Sequence, residues 1–192
     1  MTPKQSSSES SSNGAVESLR NLVKSNARLV VIAITIAAFV RLLIAEPRFI
    51  PSNSMDPTLQ IGDRLLVEKV SYRFHPPHRR DIIVFEPPPQ LQAIGYRRQQ
   101  AFIKRVIGLP GDIVTVHQGQ VYRNNQPLTE SYILAAPDYE MPLVTVPDKA
   151  LFVMGDNRND SNDSHIWGFL PIENVIGHAT LRFWPFDSFG LV

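Results

Sequence analysis

Residues Leu29 to Ala45 read LVVIAITIAAFVRLLIA, an apolar run broken only by Thr35 and Arg41. No other segment limits the fold as strongly, because a run this apolar needs either a bilayer or a large core around it. As a helix its seventeen residues reach roughly 25 Å at ~1.5 Å each, close to the lower limit for spanning a membrane. Arg41 lies one turn from the end, where its long stem can carry the charge to the head groups. A cleaved leader fits less well than an uncleaved anchor. The best small residue before a cut is Ala45, which has Leu43 two positions earlier and Pro47 two positions later. Basic residues at the N-terminal flank (Arg20, Lys24, Arg28) outnumber those just after the run (Arg48, Arg64), which places the N-terminus in the cytoplasm.

What lies before and after the run differs in kind. Met1 to about Gly14 is dominated by serine and reads as disordered, and residues 1–28 form a cytoplasmic tail and juxtamembrane segment. Residues 46–192 make one domain of ordinary size. Fifteen of the chain's sixteen prolines lie there and argue against long helices. Strand-like runs recur instead at Arg64–Val70, Asp81–Phe85, Ala101–Ile107, Ile113–His117, Gln120–Arg123, Ala150–Met154 and Val175–Phe183. Gln118-Gly119 between two short alternating runs marks a hairpin, so the expected class is mainly β, an antiparallel sheet or barrel-like core. Nineteen basic residues balance eighteen acidic ones, so bulk charge calls for no nucleic-acid partner. The absence of cysteine excludes disulfides, thiol nucleophiles and thiolate-held zinc.

Three segments carry candidate chemistry. The first, Ile50 to Leu59, holds Ser54 nine residues beyond the run and between Pro51 and Pro57, on a stiff non-helical stretch. Such residues also make ordinary linker turns. The second, Ala101 to Asp112, would as a strand put Lys104 on one face with Phe102 and Val106, with Arg105 on the other face. Burial there would lower the lysine pKa towards neutrality and let it take a proton from a serine, although a surface lysine could equally snorkel to water. The third, Gly155 to Gly168, is rich in Asp and Asn but fails the calcium-loop pattern, having no glycine sixth from Asp156 and Trp167 at the twelfth position. Histidine spacings suit no metal, and no His-Asp pair offers an evident base for Ser54. No metal or other cofactor is expected.

Together, Ser52-Asn-Ser54-Met-Asp-Pro-Thr58, Lys104-Arg-Val-Ile-Gly-Leu-Pro-Gly-Asp112 and Gly155-Asp-Asn-Arg158-Asn-Asp-Ser161-Asn-Asp163-Ser164 resemble the type I signal peptidases (leader peptidases) of bacteria and their thylakoidal relatives. Glu46-Pro-Arg48 resembles the cyanobacterial and thylakoidal branch. The resemblance implies a membrane-bound serine endopeptidase with a Ser-Lys dyad, which removes signal peptides from exported preproteins after small residues at positions −1 and −3. It implies Ser54 as nucleophile, Lys104 as base, Ser161 as the residue orienting the lysine amine and Asp163 as its support. The Ser54 backbone N–H and Ser52 hydroxyl would form the oxyanion hole, while Arg105, Asp156, Asn157 and Arg158 would be structural neighbours. It further implies a small β insertion at about 113–150. The implied location is a single-pass protein of the cell inner membrane or thylakoid membrane, its catalytic domain on the periplasmic or lumenal face. Preproteins and the lipid bilayer are the expected partners, and the oligomeric state stays open. One departure stands out: many bacterial members carry arginine where this chain has His165. A histidine titrates near ~6.5, so a pair with Asp163 would be ionic only in mild acid, as in a thylakoid lumen.

Overall fold

The computed structural model describes Ser8–Val192, with side chains from Asn26 onward. Met1–Ser7, the first part of the serine-rich tail, lie outside the described residues. Two units are defined: the N-terminal helix up to Leu43, and a β-rich unit from Ile44 to Val192. Helix α1 is Ser8–Leu43. It therefore includes Ser8–Gly14, half of the stretch expected to be unstructured, since extending an existing helix adds one hydrogen bond per residue without a new nucleus. Within it Asn26–Leu43 is long and apolar enough to cross a membrane. Thr35 satisfies its hydroxyl by donating to Val31 O at 2.8 Å, so the helix carries no orphan donor there. The helix stops two residues short of Ala45, because Ala45 is already committed to a strand.

The β unit comprises β1 (Ala45–Phe49), β2 (Arg64–Glu68), β3 (Ile82–Phe85), β4 (Phe102–Gly108), β5 (Ile113–His117), β6 (Gln120–Arg123), β7 (Gln126–Pro127), β8 (Met141–Thr145), β9 (Ala150–Met154), β10 (Leu170–Pro171), β11 (Val175–Trp184) and β12 (Gly190–Leu191). Two short helices, α2 (Pro89–Ala93) and α3 (Ser164–Trp167), interrupt them. The main sheet runs β1-β2-β11-β3-β4-β9-β10, with β12 added to β11, and its pairings are antiparallel. Register shifts in β11 opposite β2 bend this sheet into a curled half-barrel. The mainly β, barrel-like expectation is met.

Apolar patterning accounts for the layers. In β2 only alternate residues, Leu65 and Val67, are buried, as for a strand with one face covered. In β3 and β9 every residue is buried, so both faces of the central sheet are covered. One cluster, around Met55, Leu59, Leu65 and Val84, lies on one face. Another, around Ile83, Phe85, Val106 and Val153, fills the opposite face. A third, including Ile107, Val114, Val121 and Phe152, joins the main sheet to a smaller one of order β7-β6-β5-β8. The smaller sheet forms a β insertion between β4 and β9. Gln118 and Gly119 both have positive φ (51° and 73°), the backbone that a two-residue hairpin between β5 and β6 requires.

Candidate active site

Ser54 sits in the connection between β1 and β2, and apolar anchors fix that connection. Ile50, Met55 and Leu59 are buried in the core, and Ile50 N donates to Asp63 O at 2.9 Å. Leu59 N donates to Met55 O, also at 2.9 Å. With its neighbours tied down, Ser54 cannot swing away from the sheet. Lys104 lies in the middle of β4 opposite Ile83 of β3, in the most covered part of the sheet. It is only 3 % exposed. Its Nζ donates to Ser54 Oγ at 2.8 Å and to Ile103 O at 2.9 Å. Desolvation pulls the lysine pKa down to about 8, against the opposing pull of the Asp163 and Asp156 carboxylates. Ser52 Oγ lies 3.3 Å from Ser54 Oγ.

The third segment wraps round this pair directly after β9. Asn157 N donates to Ser54 O at 3.2 Å and Asn157 Nδ2 to Asn53 O at 3.3 Å, while Asn53 Nδ2 donates to Asp160 Oδ2 at 2.7 Å. Asp156 is fully buried and receives both Nε and Nη2 of Arg105, at 2.8 and 2.6 Å, together with Thr58 Oγ1 at 2.5 Å. Arg158 donates Nε to Gly155 O at 3.0 Å and grips Glu130 with its two terminal nitrogens at 2.6 and 2.8 Å. Asp163 caps α3, accepting from His165 N at 3.1 Å, and also accepts from Gly155 N at 2.8 Å. The His165 ring nitrogen Nδ1 lies 2.7 Å from Asp163 Oδ1, and the ring stacks on Tyr139 with centroids 4.2 Å apart.

Ser52, Ser54, Lys104, Arg105, Asp156, Asn157, Arg158, Ser161 and Asp163 thus lie together around β4 and the loop after β9. One contact differs from expectation. The Ser161 hydroxyl is buried but has no hydrogen-bond partner, and Lys104 spends two of its donors on Ser54 and Ile103 instead. A lysine ammonium has a third donor, so Ser161 is near the site without fixing the amine in this state. Sequence reading also passed over Glu130 and Tyr132. The Tyr132 hydroxyl donates to Glu130 at 2.8 Å, and the Arg105 guanidinium lies 4.1 Å above the Tyr132 ring. These residues come from the insertion, 28 positions or so from Arg158 in the chain, and no local pattern announces that meeting.

Gly155 is required for the close approach of these parts. A Cβ there would overlap the Ser54 carbonyl oxygen and the Ser161 side chain. The carbonyl cannot easily yield, because Asn157 N is bonded to it. Gly155→Ala is expected to destabilise the fold by about 1–3 kcal/mol through this overlap. Chemical denaturation checks this; unchanged stability would show that the loop can relax.

A serine hydroxyl bonded to a buried lysine within a β core is an arrangement of the serine-peptidase class. Residues 23–184 match the family model described as signal peptidase, peptidase S26, and the chain belongs to that family. It is 58 % identical over 178 residues to a probable signal peptidase I-1 of Synechocystis, covering 93 % of this chain and 91 % of that relative. It is 51 % identical over 159 residues to the signal peptidase I of Leptolyngbya laminosa, covering 83 % and 78 %. To a probable chloroplastic thylakoidal processing peptidase 2 of Arabidopsis thaliana it is 45 % identical over 173 residues, covering 90 % of this chain and 47 % of the plant protein. The chain is accordingly a serine endopeptidase that removes signal peptides from preproteins.

Proposed function

We propose that Ser54 is the nucleophile and Lys104 its general base. The observation that carries this reading is the 2.8 Å contact between Lys104 Nζ and Ser54 Oγ, in surroundings that bring the amine pKa to about 8. As the free base, Lys104 accepts the hydroxyl proton while Ser54 Oγ attacks the scissile carbonyl carbon. The Ser54 N–H and the Ser52 hydroxyl stabilise the resulting oxyanion. Lys104 then returns the proton to the departing amine, and as free base again activates the water that releases the acyl-enzyme. Arg105 and Asp156 hold β4 against the Thr58 end of the nucleophile segment. Asn157 and Arg158 hold the loop after β9, and Asp163 fixes that loop through Gly155. Ser161, whose side chain packs against Gly155 as the Ser54 carbonyl does, would orient the amine.

Helix α1 is the membrane anchor, with its N-terminus in the cytoplasm and the catalytic unit on the periplasmic or lumenal side, in the cell inner membrane or the thylakoid membrane. Substrates present small residues at −1 and −3. Asp163 raises the lysine pKa and His165 Nδ1 lies 2.7 Å from its Oδ1, so a permanent cation in place of His165 should weaken that pull and extend activity towards acid.

A pH–rate profile tests these assignments. Because the base form is needed, kcat/KM should fall about tenfold per pH unit well below pH 8 and level off above it. End-group analysis of the product should place the cut after a small residue. A profile flat from pH 6 to 9 would remove Lys104 as the base. Curves for wild type and His165→Arg that superimpose over the whole range from pH 6 to 9 would remove His165 from the response.

A further inference from the structure

Away from the site just described, Arg79, Arg80, Arg123 and Asn124 line one cleft of about 380 Å³ between the turn preceding β3 and the turn joining β6 to β7. One carboxylate serves this cluster, and its oxygens are fully engaged. Asp112 Oδ1 accepts from Arg79 Nη2 and Asn124 Nδ2, each at 2.8 Å, and Oδ2 accepts from Arg79 Nε at 3.1 Å and Leu109 N at 2.9 Å. Arg79 is thereby paired with that carboxylate. Among the described residues, Arg80 and Arg123 have only main-chain carbonyls as side-chain partners: Arg80 Nη2 donates to Thr129 O at 3.3 Å and Arg123 Nη1 to Ile107 O at 2.9 Å. Two cations are left on one cleft with most of their N–H donors unused. Partial burial, and then the charge of Arg79, hold the Arg123 pKa below its ordinary value.

The backbone supplies a second, independent observation. Arg80 has φ 76° and is the third residue of the turn His78–Asp81, a position where glycine is the least costly choice. Its backbone is pinned on both sides, N donating to Val106 O at 2.8 Å and O accepting from Arg105 Nη1 at 3.0 Å. A bulky side chain is thus kept at a strained position beside another cation whose side chain bonds a main-chain carbonyl and no carboxylate. Strain retained in this way marks a residue kept for what its side chain binds.

We infer that this cleft is an oxyanion site that takes a phosphate-type group, supplied as a free ion or as the headgroup of an anionic lipid. Planar guanidinium forks suit the tetrahedral oxygens, each offering two parallel donors, and the cleft has room for a phosphate with an ester substituent or its hydration water. The inference does not depend on the roles given to Ser54 and Lys104.

The test uses the full chain in phosphatidylcholine nanodiscs, titrated calorimetrically with inorganic phosphate at low ionic strength. Wild type and Ser54→Ala should both show saturable one-site binding, which separates this site from the catalytic reading. Arg123→Gln and Arg80→Gly should each weaken binding at least about tenfold. Arg80→Gly relieves the positive-φ strain, so its melting temperature should be no lower than wild type and its loss of binding cannot be laid to unfolding. In nanodiscs containing phosphatidylglycerol, weaker phosphate binding by wild type alone identifies a headgroup occupant, and equal binding in the two discs identifies the free ion. Absence of saturable binding by wild type, or binding that both arginine variants retain within twofold, overturns the inference.

Discussion

Lys104→Met and Ser54→Ala should each reduce preprotein cleavage by about a thousandfold or more, and Lys104→Met should at the same time make the protein harder to unfold at pH 6. The first effect follows from removing one half of a pair held at 2.8 Å. The second follows from the burial that makes the lysine useful. Its pKa is about 8 in the fold, against an ordinary 10.5, so carrying the charged amine inside costs about 3 kcal/mol. The sign is fixed by linkage. With a folded-state pKa below the unfolded one, the folded protein binds fewer protons between pH 8 and 10.5, and wild-type stability rises with pH across that window. Below pH 8 the full penalty applies. Methionine fills similar space without a charge, so its advantage is largest at pH 6 and shrinks towards pH 10. Chemical denaturation of both proteins at the two pH values checks this. A Lys104→Met protein less stable than wild type at pH 6 would mean that the lysine is there to hold the fold, with its chemistry secondary.

Legibility in the sequence followed how local each signal was. Segments whose residues act within a few positions of one another could be read: the strands β5, β6 and β9 have the expected bounds, and Gln118-Gly119 forms the hairpin. Lys104 is buried within β4, as its apolar neighbours suggested. Strand β1 was missed because AEPRF carries a proline and two charges and lies against the apolar run. Its order comes from pairing with β2, where Ala45 meets Glu68 and Phe49 meets Arg64. Strand β8 was hidden in the same way by Pro142, and its pairing with β5 supplies what propensity withholds. Helix α3 is only four residues long, and Asp163 both caps it and ties Gly155 in place, two tasks that one sequence position cannot advertise. The Ser161 hydroxyl shows the limit from the other side. A motif brought it to the site, yet the hydrogen bond expected of it depends on where the lysine's three donors point.

The contact between Arg158 and Glu130 is where the insertion takes hold of the catalytic loop, and breaking it should produce the largest loss of stability in the molecule. Their side chains are 0 % and 4 % exposed, and the two ends of the guanidinium meet both carboxylate oxygens. Arg158→Met leaves Glu130 as a buried charge with Tyr132 OH as its remaining donor, which is expected to cost about 3–5 kcal/mol. For a domain of this size that corresponds to a fall of roughly 6–20 °C in melting temperature. Arg158→Met also removes the bond from Nε to Gly155 O, so the loop bearing Asn157 loosens and kcat falls in the protein that remains folded. The double variant Glu130→Leu/Arg158→Met separates these effects. It removes the uncompensated charge, and most of the lost stability should return because apolar pairs replace buried ion pairs at little cost. Activity should not return, since Gly155 O still lacks its donor. If the double variant recovers both stability and activity, the pair only fills space; if it recovers neither, the ion pair itself holds the insertion to the loop.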